Sequence, residues 1–283
     1  NCKIHGEYKL LLSQNGELYL DFDNYYFNYL KKDVRKGKRT TYWLFVTSYC
    51  NMHCAHCILD IDQPLFQTMN DDDFEDVLSK YQKHKFTFTG GEPTLHPNLA
   101  KYISRARKAG FIAQIATNGL KLSDLTYLKT LKDAGLQEVR ISTDSLGRIK
   151  FKAHDARIVN KRIKALENLK SLNIKTILSP IIYKHNNEQH LIECLDYAAS
   201  NPFVAEISVS GFTWSGKGKS YPKEACIMPD EITDIINNDY IKGERKDLFV
   251  LNKYIHTIIS LIDIELCFNT QILIFARKSG NLT

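Results

Sequence analysis

The sequence has no run of about 18 consecutive apolar residues, so it predicts no membrane-spanning helix. Its first residues, Asn1-Cys2-Lys3, lack the charged-then-apolar order of a signal peptide, and we therefore expect a cytoplasmic protein. A strong excess of one charge is also absent, because 38 Lys and Arg against 32 Asp and Glu leave a formal net charge of +6. This charge suits anionic ligands, but it is too small to predict nucleic-acid binding.

Cysteine is sparse as well, with seven residues among 283. Seven cysteines are too few for a disulfide framework, yet Cys50, Cys54 and Cys57 fall within eight positions. Such clustering is typical of a metal site in a reducing compartment. The remaining composition, 43% hydrophobic and 25% charged, is typical of a globular protein with one large core and excludes a disordered protein.

Short apolar runs alternate with segments of helical length through the middle of the sequence. Runs of strand type lie at 42–47, 85–89, 112–116, 137–142, 174–182 and 205–210. Helices are predicted between them, among them one capped by Asn70 and one stopped by Gly110. Alternating strands and helices predict parallel pairing with right-handed crossovers. Six units are too few for the usual eightfold barrel, so we expect an α/β fold, a partial (β/α)6 barrel that binds ligands at the carboxyl ends of its strands.

Three parts of the protein are predicted from this pattern. Residues 1–40 include an N-terminal β-hairpin, since the stretch from Tyr8 to Phe22 alternates weakly around the turn pair Asn15-Gly16. Residues 41–218 form the partial barrel. Residues 219–283 form a C-terminal extension with helices near 230–236 and 252–261 and two strands near 262–268 and 271–275. Because the sequence begins without Met and ends at Thr283 without an obvious closing element, we expect it to continue at both ends.

The clustered cysteines follow the first predicted strand with the spacing C-x3-C-x2-C. Three thiolate ligands leave one iron of a cubane cluster open to an external ligand, whereas structural zinc and electron-transfer cubanes usually take four protein ligands. His53 and His56 lie between the cysteines and offer the nitrogen ligands that a zinc site would use. The spacing alone leaves two alternatives, a cluster with an open iron and a zinc site.

The second predicted strand runs directly into Gly90-Gly91-Glu92-Pro93. Two glycines at a strand end allow a ligand to approach the backbone closely, and Glu92 adds an acceptor suited to an ammonium group. The same four residues also make an ordinary turn. Their position one unit after the three-cysteine loop favours ligand binding.

The sequence from about Tyr42 to Ser215 resembles the radical S-adenosylmethionine (SAM) superfamily, whose signature is the triad Cys50, Cys54 and Cys57. The resemblance implies that these cysteines bind a [4Fe-4S] cluster whose open iron is chelated by the amine and carboxylate of SAM. It also implies the partial (β/α)6 barrel. The cofactor-binding residues that it implies are His56, at the position of the signature's aromatic residue, Gly90, Gly91, Glu92 and Pro93 for the SAM amine, and Asn118, Ser142 and Asp144 at later strand ends. A common turn at Asn118-Gly119 and a helix cap after the fourth strand are the alternative interpretations of the last three.

Further segments resemble the tetraether lipid synthase-like branch of this superfamily. They are Cys2-Lys-Ile-His5-Gly6, the run 88–97 around Gly-Gly-Glu-Pro, and Gly211-Phe-Thr-Trp-Ser-Gly-Lys-Gly218 after the sixth strand. The first segment implies that residues 1–40 hold the remnant of a metal-binding knuckle, and an incidental Cys2 is the alternative. The branch implies coupling of lipid chains and extra iron-sulfur clusters, whereas the other cysteines of this protein are isolated. Cys194 has apolar neighbours and is predicted to be a buried core thiol. Cys226 and Cys267 follow the sixth strand, where related enzymes hold an auxiliary iron-sulfur or metal site.

The leading hypothesis is an enzyme that reductively cleaves SAM to a 5′-deoxyadenosyl radical and abstracts hydrogen from an unactivated carbon. Carbon–carbon coupling of lipids is the first expectation for its reaction, and radical methylation or peptide modification are the alternatives. The resemblance implies a low-potential electron donor such as flavodoxin or ferredoxin and a small-molecule, lipid or peptide substrate. A lipid substrate would place the protein at a membrane surface. The alternative from another class is a non-catalytic zinc or redox module.

Overall fold

The computed structural model describes residues 41–59, 68–81, 84–143, 156–241, 277–278 and 281–282. The described residues fall into two compact units, one of residues up to 226 together with the C-terminal pairs, the other of residues 227–241. The predicted hairpin, the later C-terminal helix and strands, and the residues Cys2, Asp144 and Cys267 lie outside the described part. The domain boundaries after residues 40 and 218 remain predictions.

A parallel sheet forms the centre of the larger unit. The strands are β1 (Thr41–Thr47), β2 (Lys85–Gly90), β3 (Ile112–Thr117), β4 (Glu138–Ser142), β5 (Lys175–Ser179), β6 (Ile181–Ile182), β7 (Val204–Ile207) and β8 (Ser210–Gly211). Six of them form one sheet in the order β1-β2-β3-β4-β5-β7, and β6 pairs with β8 separately. The predicted α/β fold with six parallel strands is confirmed.

Five helices connect the strands of this sheet. They are α1 (Asp71–Lys80), α2 (Leu99–Lys108), α3 (Leu125–Asp133), α4 (Ala156–Ser171) and α5 (Glu188–Ser200). The side chain of Asn70 accepts a hydrogen bond from Asp73 N and caps α1, as predicted. Because each right-handed crossover advances the backbone by one strand in the same direction, all five helices cover the same face of the sheet.

The fifth and sixth predicted strands are each shorter than the sequence suggests. Pro180 separates β5 from β6, since it has no N–H for the ladder of the main sheet. Its carbonyl instead accepts a hydrogen bond from Ser210 N at 3.0 Å, next to the short pair of β6 and β8. The predicted strand 174–182 is therefore two strands, β5 and β6, and the predicted strand 205–210 covers most of β7 and the start of β8.

The two faces of the sheet differ in chemistry. Alternate residues such as Val46, Phe88, Ile115 and Ile141 face the helices and form a closed apolar core. The opposite face, which we call the inner face, is mostly polar. It carries Lys85, Thr87, Gln114, Glu138, Arg140, Lys175 and Glu206, with Trp43, Phe45, Ile112 and Ile177 as its large apolar residues.

The sheet is curled around its inner face. The guanidinium of Arg140 on β4 lies 5.7 Å from the ring centre of Trp43 on β1, although two strands separate them in the sheet. At the amino ends of the strands, the buried carboxylate of Glu138 accepts hydrogen bonds from Lys85 at 2.7 Å, Lys175 at 2.8 Å and Gln114 at 2.8 Å. This charged group, which we call the floor, joins four strands beneath the inner face.

The smaller unit begins with helix α6 (Pro229–Ile235), close to the helix predicted at 230–236. It runs into a π-helical segment, Ile236–Ile241. The last two described strands, β9 (Arg277–Lys278) and β10 (Asn281–Leu282), belong to the larger unit and form an antiparallel pair. No helix among the described residues is long and apolar enough to cross a membrane.

Candidate active site at the carboxyl ends of the strands

The cysteine loop, residues 50–57, follows β1 directly. Cys50, Cys54 and Cys57 are free thiols, and each is partly buried. The backbone N–H of Met52 points at Cys50 Sγ at 3.4 Å, and the backbone N–H of Cys57 donates to Cys54 O at 3.1 Å. Burial raises the pKa of the Cys50 thiol above its ordinary value, although the hydrogen bond from Met52 opposes this.

Gly90 and Gly91 hold the backbone that leads into this loop. Gly91 N donates to Thr47 O at 2.8 Å, and the next N–H, of Glu92, donates to Tyr49 O at 2.7 Å. A Cβ atom on Gly91 would lie only 2.4 Å from Tyr49 O, and Gly90 has a φ of +136° with Thr47 O 2.1 Å from its Cβ position. The two glycines are therefore required for backbone contact between β2 and the entry to the cysteine loop.

Glu92 is buried at the end of β2, and its carboxylate is hydrogen-bonded within the protein. The residue is 1% exposed, and its carboxylate accepts hydrogen bonds from Thr94 N, Thr94 Oγ1, Thr117 Oγ1 and Asn118 N at 2.6 to 3.1 Å. Burial raises the pKa of Glu92, and these hydrogen bonds oppose the increase. The carboxylate thus ties the end of β2 to the end of β3, and its contact with the SAM amine remains a prediction.

Pro93 and Asn118 extend this connection in two directions. Pro93 is buried and begins a short 3-10 helix, Pro93–Leu95, that Glu92 caps. The Asn118 side chain donates to Asn51 Oδ1 at 2.8 Å, so the turn after β3 reaches the cysteine loop. The side-chain oxygen of Asn118, Oδ1, accepts a hydrogen bond from Leu120 N at 3.0 Å, as expected for the turn interpretation.

Ser142 ends β4 and lies opposite Ser179 of β5 in the sheet. It is partly buried, and the following residue, Thr143, donates its N–H to Ser179 O at 3.3 Å. Ser142 therefore lies at the same edge of the sheet as the residues after β1, β2 and β3. A contact of Ser142 or Asp144 with SAM remains a prediction.

The other side of the cysteine loop contacts the segment 211–218. Lys217 N donates to Cys57 O at 3.0 Å, and a Cβ atom on Gly216 would lie 2.5 Å from Ile58 O. His56 meets the ring of Tyr183 edge-on with 5.7 Å between ring centres, and Tyr183 in turn stacks on Phe212 at 4.7 Å. The segment singled out by the sequence resemblance thus supports the third cysteine.

Arg162 on α4 is a residue that the motifs do not reveal. It is 1% exposed, its Nε donates to Asn118 O at 3.1 Å, and its Nη2 lies 3.8 Å from Met52 Sδ in the cysteine loop. The signal was present in the sequence, because Arg162 shares a helical face with Ala165, Leu166 and Leu169. A buried cation therefore lies between α4, the turn after β3 and the cysteine loop.

The remaining cysteine and histidine predictions have separate outcomes. Cys194 is 0% exposed and packs in the core, as predicted. Cys226 is partly buried. Among the described residues, no three His, Cys, Asp or Glu side chains are placed to hold a single metal ion. An auxiliary iron-sulfur or metal site stays a prediction.

The chemistry of the donor set fits a cluster. Three thiols, each partly exposed and spread over eight residues, are suited to bind three separate irons of one cluster. The backbone around them is fixed by Gly91 on one side and Lys217 on the other. Cys50, Cys54 and Cys57 would hold a [4Fe-4S] cluster with one iron open to a further ligand.

Comparison with protein families establishes the class. Residues 44–198, more than half of the protein, match the family model of the Radical SAM superfamily. The chain belongs to this superfamily and is an enzyme of the radical SAM type, for which the family implies a [4Fe-4S] cluster and SAM. The tetraether lipid synthase-like branch is not confirmed by these comparisons.

Individual relatives refine this picture without fixing the reaction. The chain is 29% identical to 7,8-dihydro-6-hydroxymethylpterin dimethyltransferase of Methanocaldococcus jannaschii over 71% of its own length and 45% of that protein. It is 30% identical to GTP 3′,8-cyclase of Helicobacter pylori over 71% of its own length and 64% of that protein. The matched region therefore spans about half to two thirds of the length of these curated relatives.

Solved structures show the same fold. Methylornithine synthase superimposes with a TM-score of 0.56 and 13% identity, covering 75% of this chain and 66% of that one. The structure described as native anSMEcpe with bound AdoMet gives a TM-score of 0.56 and 20% identity, covering 71% and 59%. These similarities confirm the partial barrel that the strand and helix pattern predicts.

Proposed function

We propose that the protein reductively cleaves SAM and uses the resulting radical to remove hydrogen from a carbon of a polar small molecule bound at the inner face. The observation that carries this proposal is the loop of three partly exposed thiols held by Gly90 and Gly91 at the carboxyl end of the sheet. Cys50, Cys54 and Cys57 would hold a [4Fe-4S] cluster there, which would supply the electron for reductive cleavage of SAM. A low-potential donor such as flavodoxin or ferredoxin would provide that electron.

The protein's own residues contribute binding and orientation. Cys50, Cys54 and Cys57 act as the ligands, and Gly90 and Gly91 let β2 pack closely against the backbone that enters the cysteine loop. Glu92 keeps the ends of β2 and β3 together. Ser142, at the next strand end, offers a hydroxyl to the same ligand. The cofactor carries the difficult chemistry, and the protein fixes its position.

The polarity of the inner face favours a polar substrate. Coupling of lipids, the first expectation from the sequence, needs an apolar path for an alkyl group beneath the strand ends. The described inner face instead carries Arg140 and Glu206 above the charged floor formed around Glu138. A hydrocarbon packed against these polar side chains would displace the water that hydrogen-bonds to them and would offer no hydrogen bonds in return. The membrane association expected with a lipid substrate is therefore not part of this proposal.

The named relatives point toward the same kind of substrate. One is a dimethyltransferase for a pterin, and another is a cyclase for GTP. Both compounds contain a planar nitrogen heterocycle with several hydrogen-bonding groups. Methyl transfer or ring formation on such a compound is therefore favoured over peptide modification.

The test is SAM cleavage by the complete holoenzyme. Protein purified without oxygen and reconstituted with iron and sulfide is mixed with SAM and dithionite, and 5′-deoxyadenosine is measured. We expect the nucleoside from the wild type and from a Cys194→Ala variant, whose cysteine lies in the core, but not from Cys54→Ala. A colourless protein that binds zinc and forms no nucleoside would overturn the proposal.

A further inference from the structure

Three side chains from distant strands meet on the inner face. They are Trp43 of β1, Arg140 of β4 and Glu206 of β7. The Arg140 guanidinium lies 5.7 Å from the ring centre of Trp43, and its Nη2 lies 3.6 Å from Glu206 Oε1. Because these strands are the first, fourth and last of the sheet, the group exists only where the curled sheet brings its two sides together.

The hydrogen-bonding capacity of Arg140 is not used up by its neighbours. The separation of 3.6 Å from Glu206 is an ion pair but exceeds a hydrogen bond. Its Nε is buried and has no hydrogen-bond partner among the described residues. Burial lowers the pKa of Arg140, and the nearby Glu206 carboxylate opposes this. Burying a guanidinium whose N–H groups have no acceptor costs free energy, so a ligand that accepts hydrogen bonds would be favoured next to Arg140.

The charged floor does not supply that partner. Glu138 precedes Arg140 by two residues on the same face of β4, but its carboxylate oxygens accept from Lys85, Lys175 and Gln114. Gln114 is itself engaged, since its Oε1 accepts from Thr87 Oγ1 at 2.8 Å. The floor is thus a closed hydrogen-bonded group, and Arg140 and Glu206 face the space above it.

Aromatic surface lies beside this pair. Trp43 is 51% exposed and Phe45 is 42% exposed, and both belong to the inner face of β1. Large aromatic side chains left half exposed next to polar groups are typical of a ligand site. Arg140 precedes Ser142 by two residues, or about 7 Å along the strand, so a ligand at Arg140 would extend toward the strand ends where SAM is proposed to bind.

We infer that Trp43, Arg140 and Glu206 bind a planar nitrogen heterocycle that carries a lactam, an adjacent ring N–H and C=O, as part of the substrate. Arg140 donates to the carbonyl oxygen, Glu206 accepts from the ring N–H, and Trp43 stacks on the ring. The inference rests on the proposed function, because it names the substrate class of the same site. The three residues are specificity-determining residues and take no part in forming the radical.

The combination of charges selects this class over simpler anions. A phosphate or carboxylate would be attracted by Arg140 but repelled by Glu206, whose oxygen lies only 3.6 Å from the guanidinium. An adenine ring presents an exocyclic amine and an unprotonated ring nitrogen, so it lacks the paired C=O and N–H. A lactam matches one donor and one acceptor side by side, and both groups remain satisfied when it binds.

The test is direct binding of guanosine to the reconstituted holoenzyme. Equilibrium dialysis is run with saturating SAM and without reductant, so that the SAM site is filled and no turnover occurs. We expect guanosine to bind about tenfold or more tightly than adenosine, and inorganic phosphate not to compete. Removing the ring contact in Trp43→Leu should weaken guanosine binding about 5- to 100-fold, the range for loss of one base stack.

Two further variants test the polar pair. Arg140→Lys keeps the charge but loses the fork, and Glu206→Ala changes a side chain that is 40% exposed and therefore less critical for folding. Each should weaken guanosine binding about tenfold or more, whereas Arg105→Lys and Glu75→Ala, which alter an exposed pair on α1 and α2, should not. Circular dichroism verifies that each variant is folded.

The outcomes separate this inference from the proposed function. Equal binding of guanosine and adenosine, competition by phosphate, or unchanged affinity in folded Arg140→Lys and Glu206→Ala would overturn the inference. If SAM is cleaved but guanosine does not bind, the inference fails while the proposed function stands. If guanosine binds as expected but no 5′-deoxyadenosine forms with dithionite, the proposed function fails and the heterocycle site stands.

Discussion

Replacing Glu92 by Gln tests whether this carboxylate holds the strand ends or contacts SAM. The carboxylate is 1% exposed, and its two oxygens accept from the backbone N–H groups of Thr94 and Asn118 at 3.1 and 2.8 Å. A Gln amide must put an NH2 group in the place of one oxygen. Either orientation therefore turns a donor toward a buried backbone N–H that has lost its acceptor.

The size of the effect follows from one orphaned buried donor. Leaving such a group unsatisfied costs about 1–3 kcal/mol, and the loss of a buried charge returns part of the desolvation cost that raises the pKa of Glu92. For a protein of this size, each kcal/mol lowers Tm by about 2–4 °C, so we expect a decrease of roughly 2–12 °C. The decrease should be present without SAM, because the hydrogen bonds are internal to the protein.

The assay is thermal unfolding followed by circular dichroism on the anaerobic, cluster-loaded protein without SAM. SAM affinity is measured in parallel by equilibrium dialysis. Glu75→Gln is the matched control, because Glu75 pairs with Arg105 at the surface, where loss of an ion pair costs less than about 1 kcal/mol. An unchanged Tm together with much weaker SAM binding would refute the reasoning and support direct contact of Glu92 with the SAM amine.

Three further substitutions are predicted from contacts in the same unit. Gly91→Ala places a methyl group 2.4 Å from Tyr49 O, so we expect a cost of about 1–3 kcal/mol and less iron bound per protein molecule on reconstitution. Gly216→Ala should have the same effect on iron from the other side of the loop, because its Cβ would lie 2.5 Å from Ile58 O and its φ is +53°. Glu138→Gln should make Tm depend less on pH in the acid range. Burial raises the pKa of Glu138, but the hydrogen bonds from Lys175 and Lys85 outweigh burial and hold the pKa below its ordinary value of 4.5. The stabilisation by Glu138 is therefore present above about pH 4.5 and is lost as the pH falls further.

Each of these predictions has a control that separates local from general effects. Gly110→Ala also introduces a side chain at a positive φ, +92°, but at the end of α2, so it should lower stability without lowering bound iron. Equal iron loss in Gly110→Ala and Gly91→Ala would contradict the role of the loop contacts. For Glu138→Gln, a Tm that falls with acid as steeply as that of the wild type would contradict the sign of the pKa shift.

Strand and helix positions follow from the sequence because they depend on local patterns. The run Tyr42 to Thr47, the Asn70 cap and the stop at Gly110 each specify an element within a few residues. The cysteine spacing and the Gly-Gly pair are local in the same sense, and the structure brings both to the same edge of the sheet. Such local patterns therefore predict which residue types occur and where each lies along its own strand.

The remaining features depend on contacts between distant strands. Trp43 and Arg140 are far apart in sequence, and only the curvature of the sheet brings them together. Glu92 illustrates the opposite case, since the motif correctly marked the strand end but could not show that Thr117 and Asn118 at the end of β3 supply two of the four donors to its carboxylate. Arg162 required knowledge of which helix face lies against the cysteine loop.

The glycine contacts around the cysteine loop imply an uneven tolerance of substitutions. The loop is held largely through its backbone, because the N–H groups of Gly91, Glu92 and Lys217 donate to the carbonyls of Thr47, Tyr49 and Cys57. His53 and Ala55 are exposed, so random mutagenesis should find many acceptable replacements at these positions. Gly90, Gly91 and Gly216, which lie outside the loop, should tolerate few substitutions. Residues between the cysteines can therefore vary, whereas these glycines cannot.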